Sequence, residues 1–218
     1  MTTRQIYDQS LENLRQDLLK MGSAVAVNIE LAVQALVVQD EKLARKVLAG
    51  DDVIDRMEVD VDDKCMILIA RQQPMARDLR ILGTGLKIST DLERIGDHAY
   101  DIAKIALEMA HQPLLKPLVD IPRMAELAQK MLKDALEAYV KLDIMLAEQV
   151  CLDDDAVDHI YNQVFRELLT YMLEDPRNIS QITQLLFVGR YLERIADHAT
   201  NIAEWTVYLV TGQRLRKK

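Results

Sequence analysis

The chain has few of the residues that interrupt or flatten a fold. Its 218 residues include seven glycines and five prolines, and only 5% are aromatic. A β-sandwich or barrel needs turn residues about every 8–12 positions, so this scarcity argues against both. A doubly wound α/β protein needs β-branched runs between its helices, and none occurs. Cysteine is also sparse. Cys65 and Cys151 form no CxxC pair, which excludes a disulfide scaffold and fits reduced thiols in a cytoplasmic protein. The segment from Met1 to Lys20 is polar and of mixed charge, unlike a secretion signal. Long apolar runs are missing too. Leu31 to Val38 is broken by Gln34, well short of the ~20 residues of a membrane span. Positive charge is in deficit, with 27 Lys and Arg against 35 Asp and Glu and a net charge of −8, so a general nucleic-acid binder is excluded.

What remains is helix-forming sequence. Leu11, Leu14, Leu18, Met21, Val25, Ile29, Ala32 and Leu36 recur at spacings of three and four and predict a helix over 4–38. Asp40 can cap a second helix reaching Gln73, with Gly50-Asp51-Asp52 as a point of bending or fraying. Pro74 stops it, since the residue before proline avoids the α region. A third helix is expected over 76–109. Pro113, Pro117 and Pro122 mark a linker. Helices over 123–147, 153–174 and 180–211 follow, the last ending at Gly212, a natural C′ residue. Arg214, Arg216, Lys217 and Lys218 form a basic tail.

The two halves are related. Residues 92–103 read LERIGDHAYDIA and residues 192–203 read LERIADHATNIA, nine of twelve positions matching at an offset of 100. Ile54-Asp55 corresponds to Val157-Asp158, and Gln73-Pro74 to Asp175-Pro176. A duplicated three-helix unit follows, giving an all-α protein of two tandem, sequence-related three-helix bundles. The expected division is 1–110, a proline-rich linker over 111–122, and 123–218.

The repeated segment carries acids in columns. Glu93, Asp97 and Asp101 lie at i, i+4 and i+8, a column at the edge of the apolar seam of Leu92, Ile95, Ala99 and Ile102. Successive acids are about 6 Å apart along the axis. The second copy is Glu193, Asp197 and Asn201, and Asp55, Glu58 and Asp62 form another column on the second helix. Like charges at i, i+4 repel, and partial burial raises the cost, so each column needs cations. Arg77, Arg177 or a metal ion could supply them. Two antiparallel helices bringing five or six carboxylates together offer an oxygen-only ligand set, suited to hard metal ions. The second half offers Asp158 and Asn162, a thinner supply, and its site is expected to be weaker. His98 and His198 lie about 100° further round than Asp97 and Asp197 and are read as supporting residues rather than ligands.

The other features read as packing. Gly83-Thr84-Gly85 lacks a phosphate-loop context. The methionines, Cys65, Trp205 and Tyr208 fall among packing positions. No Ser-His-Asp arrangement, nucleophile elbow or dinucleotide fingerprint is present, so no catalytic or cofactor-binding residue is assigned. Di-iron oxidases use Glu-x-x-His, whereas here Gly96 and Ala196 stand three residues after Glu93 and Glu193.

With LERIGDHAYDIAK and YLERIADHATNIAE, supported by VIDRMEVDVDD, ARQQPMARDLR and LLTYMLEDPRNI, the chain resembles the PhoU family of phosphate-signalling proteins over essentially its whole length. The resemblance implies metal sites at Glu93, Asp97 and Asp101 and at Glu193, Asp197 and Asn201, with Asp55, Glu58 and Asp158 contributing. The ions could be iron, manganese, magnesium, zinc or calcium. It also implies a cytoplasmic regulatory adaptor, not an enzyme, that links a phosphate ABC transporter ATPase to a sensor histidine kinase. Such a protein acts as a negative regulator when phosphate is plentiful and reaches the membrane only through its partners. A homodimer is compatible with this reading. A carboxylate-bridged hydrolase or oxidase and a metal-free helical scaffold are the alternatives.

Overall fold

The computed structural model describes residues 3–214. Six helices run in the order α1 (Thr3–Val38), α2 (Glu41–Gln72), α3 (Arg77–Met109), α4 (Asp120–Lys141), α5 (Ile144–Glu174) and α6 (Ile179–Thr211), with a 3-10 turn at Pro176–Asn178. α1, α2 and α3 pack on one another, as do α4, α5 and α6. The two three-helix bundles join where α3 lies on α6 and α1 on α4.

Local chemistry sets the ends. Gln39 adopts a left-handed conformation (φ 54), and the Asp40 side chain accepts from the Lys42 and Leu43 amides. The same device recurs at Leu142 (φ 54) and Asp143, which accepts from Leu146 N. This corrects the expected boundary in the second half. The break falls at 142–143 rather than at 148–152, because the turn is made by a left-handed leucine and an aspartate cap, with neither glycine nor proline. Asp51 and Asp52 lie within a continuous α2, so the expected bend at 50–52 is absent. α4 begins at Asp120, earlier than predicted, with Pro122 in its first turn, where a missing N–H costs no intrahelical bond. The linker is strapped to α6: Leu115 N donates to Gln181 Oε1 (2.6 Å), and Gln181 Nε2 donates to Pro113 O (3.0 Å).

α1 explains an apparent exception to the sequence reading. Residues Arg4–Val38 include an 18-residue window of mean hydropathy 1.7, apolar enough for a membrane span. Its Leu14, Leu18, Met21, Val25, Ile29 and Leu36 are buried against α2, α3 and α4, as in the core helix of a bundle. Two buried hydroxyls of α6 are satisfied locally: Thr200 donates to Ala196 O and Thr206 to Ile202 O, both at 3.1 Å. Gly85 is a close-packing position, since a Cβ there would meet Leu14 Cδ2 at 3.4 Å and Cys65 Sγ at 3.6 Å. Gly83 has open space. In the basic tail, Arg216, Lys217 and Lys218 lie outside the described residues.

Candidate metal centre

α2 and α3 are antiparallel neighbours, and their acids meet in the groove between them. Carboxylate oxygens of Asp51, Asp55 and Asp97 lie within 4.8 Å of one another. Among the described residues this is the one group of three potential ligands that converges so closely. The register carries the cluster along the groove. Asp51 feels the charges of Asp97 and Asp101, whereas Glu93 feels Asp97, Glu58 and Asp55. Asp55, Glu58, Glu93, Asp97 and Asp101 therefore lie along one groove, and its convergent point adds Asp51, which the acid columns in the sequence did not include. The signal was present: Asp51 precedes Asp55 by four residues and continues the α2 column. Gly50 beside it, a residue of low helix propensity, masks it.

Electrostatics mark the cluster as starved of positive charge. Burial, then Asp55 and Asp97, push the Asp51 carboxyl up to about 6. Burial also raises Glu93, reinforced by Asp97 and opposed by Arg94. Glu58 is raised by burial and by Asp62 and Asp55, and Asp101 by burial and Asp97. Neither Arg77 nor Arg177 is the cation seen at these acids. Arg94 Nη1 lies 3.0 Å from Asp97 Oδ2 and its Nε 3.4 Å from Glu93 Oε2, while Arg177 pairs with Asp175 at 2.8 Å. Arg94 is more than half exposed, and the exposed Lys104 bears on Asp101, so two screened cations face six acids.

The second half repeats the plan with fewer acids. Glu193 is raised by burial, Asp197 and Asp158, and is opposed by Arg190 and Arg194. Its Oε1 pairs with Arg190, and its Oε2 is buried without a hydrogen-bond partner. Asp154 stands where Asp51 stands in the first half, but Tyr161 replaces Glu58. Asn201 donates to Asp91 Oδ1 at 3.1 Å and so faces the α3–α6 seam. In the first half the donor set fits hard metal ions, being all oxygen, crowded and short of cations; in the second, Arg190 and Arg194 already face Glu193 and Asp197, and Glu193 Oε2 is an orphaned buried acceptor.

The two histidines sit at that seam. The His98 ring stacks on Tyr191 (centroids 5.6 Å apart) and lies 5.7 Å from His198. His198 Nδ1 is 2.8 Å from Asp91 Oδ1, and Tyr191 hydrogen-bonds Asp101. Positions 91 and 101 of α3 thus meet positions 201 and 191 of α6, a pseudo-twofold exchange that ties each acid column to the opposite bundle. Burial and His198 lower His98 to about 4, which keeps it neutral.

Two helical bundles made from a duplicated unit, with carboxylates along a helix groove, define a class of duplicated helical-bundle protein. The PhoU domain model matches residues 18–106 and 121–206, one match for each half. The chain belongs to the PhoU family. It is 44% identical over 217 residues to the phosphate-specific transport system accessory protein PhoU homolog of Clostridium acetobutylicum, covering 98% of both chains. It is 45% identical over 205 residues to the homolog of Aquifex aeolicus, covering 94% of this chain and 93% of the relative. The crystal structure of PhoU from Pseudomonas aeruginosa superimposes with a TM-score of 0.92 at 41% identity, over 95% of this chain and 100% of that one. The PhoU structure from Streptococcus pneumoniae gives 0.90 at 30% identity, over 97% and 100%.

Proposed function

We propose that this protein is a regulatory adaptor of phosphate uptake and phosphate-starvation signalling. It binds a phosphate transporter ATPase and a sensor histidine kinase and keeps the starvation response off when phosphate is plentiful. The observation that carries the reading is the full-length match, through both repeats, to accessory proteins of phosphate-specific transport. The helical surfaces serve as docking faces, and the acids hold metal ions that fix the groove or bridge to a partner. The first site uses Asp51, Asp55, Glu58, Glu93, Asp97 and Asp101. The second uses Asp158, Glu193 and Asp197, with Asn201 at its margin. The bundles divide near the proline linker, at 1–110 and 123–218. The protein works at the cytoplasmic face of the membrane through its partners.

The test is a phosphate-starvation reporter in a strain lacking this gene, complemented with wild type or with Glu93, Asp97, Glu193 and Asp197 all changed to Ala. Deletion is expected to switch the reporter on in high phosphate, and wild type to silence it. A reporter that stays silent after deletion would sink the reading. Pulldowns with the cognate ATPase and kinase test the two contacts separately.

A further inference from the structure

A polar recess of about 310 Å³ opens along the α3–α6 seam, and Thr90 in its lining hydrogen-bonds Glu58 of the α2–α3 groove. α3 contributes Lys87 and Asp91, α6 contributes Glu204 and Trp205, and Arg214 follows from beyond α6. Lys87 Nζ lies 6.0 Å from the Trp205 ring centroid, and Arg214 Cζ lies 4.8 Å from it. Asp91 is 9% exposed and is held on Oδ1 by His198 and Asn201. Two cations on a half-buried indole, facing two carboxylates, form a site with three separate chemistries: an anion end, a planar face and a donor-binding wall.

We propose that this recess binds a nucleoside monophosphate. A phosphate draws Lys87 and Arg214 off the indole, and the freed face takes the base by stacking. Asp91 and Glu204 then accept from ribose hydroxyls or an exocyclic amine. The volume lies at the small end of ordinary small-molecule sites, which suits one nucleotide. A bare phosphate would leave the indole and the acceptors of Asp91 and Glu204 unused. Because the recess takes residues from both halves, an occupant would bridge the two bundles. The proposal does not depend on the adaptor reading or on any metal.

Trp205 is the only tryptophan, so intrinsic fluorescence reports on the recess directly. With chelator present, AMP, CMP, adenosine, glucose 6-phosphate and inorganic phosphate would be titrated, with calorimetry in parallel. AMP or CMP is expected to give a saturable change with a dissociation constant below about 1 mM. The paired change Lys87→Gln and Arg214→Gln, at exposed side chains, should weaken binding at least about tenfold without altering the melting temperature. Trp205→Leu, read by calorimetry, should weaken it by a similar factor. Inorganic phosphate or glucose 6-phosphate binding as tightly as the nucleotides would overturn the assignment. So would nucleotide binding unaffected by the paired change, or neither heat nor quenching up to about 10 mM nucleotide.

Discussion

At the residue scale, Asp51 shows how one side chain can couple stability to metal. Its pKa is raised to about 6 in the folded protein, above the ordinary carboxyl value of 3.8. The native state therefore holds its proton more tightly than the unfolded chain does. Its contribution to stability is fully present below about pH 4 and is lost as pH rises through about 6. Glu58, Glu93, Asp101 and Glu193 shift in the same direction. In chelator, thermal melts should show stability from these groups falling between about pH 4 and 6.5, with Asp51→Asn flattening the fall. The same variant should be more stable than wild type in chelator at pH 7 and should bind Mn²⁺ at least about tenfold more weakly. Gly96 provides a second test. A Cβ there would meet Ile54 Cγ2 at 3.2 Å and Cδ1 at 3.3 Å, of which valine lacks the second, and the corresponding positions in the other half are Ala196 and Val157. Each half fills the same contact with a different split of methyl groups. Gly96→Ala should be more favourable in an Ile54→Val background than in wild type, by about 0.5–1 kcal/mol in a double-mutant cycle of denaturant melts.

The elements depend on caps more than on breakers. Asp40 and Asp143 close equivalent turns, and each change to Ala should cost about 1 kcal/mol. The two turns share no side-chain partner in these caps, so urea melts of the double variant should give the sum within about 0.5 kcal/mol. Gln73 ends α2 in a left-handed conformation (φ 45) and is exposed. Gln73→Gly should stabilise the protein by up to about 1 kcal/mol, since glycine occupies that region without the Cβ penalty. The sequence made most of these helices legible. Their apolar residues recur at three and four, and Asp40, Pro74 and Gly212 mark ends by known chemistry. It concealed the α4–α5 turn, because a leucine in the left-handed region has no compositional sign.

At the scale of the whole molecule, the α3–α6 seam joins the halves through an apolar core and a polar exchange of His98, Tyr191, Asp101, His198, Asp91 and Asn201. Metal binding to the native state alone should raise the melting temperature with concentration, by RT ln(1 + [L]/Kd) in free energy. Mn²⁺ or Mg²⁺ added after chelation is expected to produce that shift, and changing Asp55 and Asp97 to Asn should remove most of it. Substoichiometric metal after gentle purification, together with no shift on adding it back, would favour the metal-free scaffold.

The sequence by itself determined the helical class, the duplication and the acid columns. Those depend on periodicity and on a repeated segment, and both are properties of order along the chain. Only the tertiary structure decided which acids converge. Asp51 reaches Asp97 because α2 and α3 run antiparallel in one register, and Asn201 faces Asp91 because α3 and α6 cross about a shared seam. Helical spacing places a carboxylate on a face, but the neighbouring helix determines what that face meets.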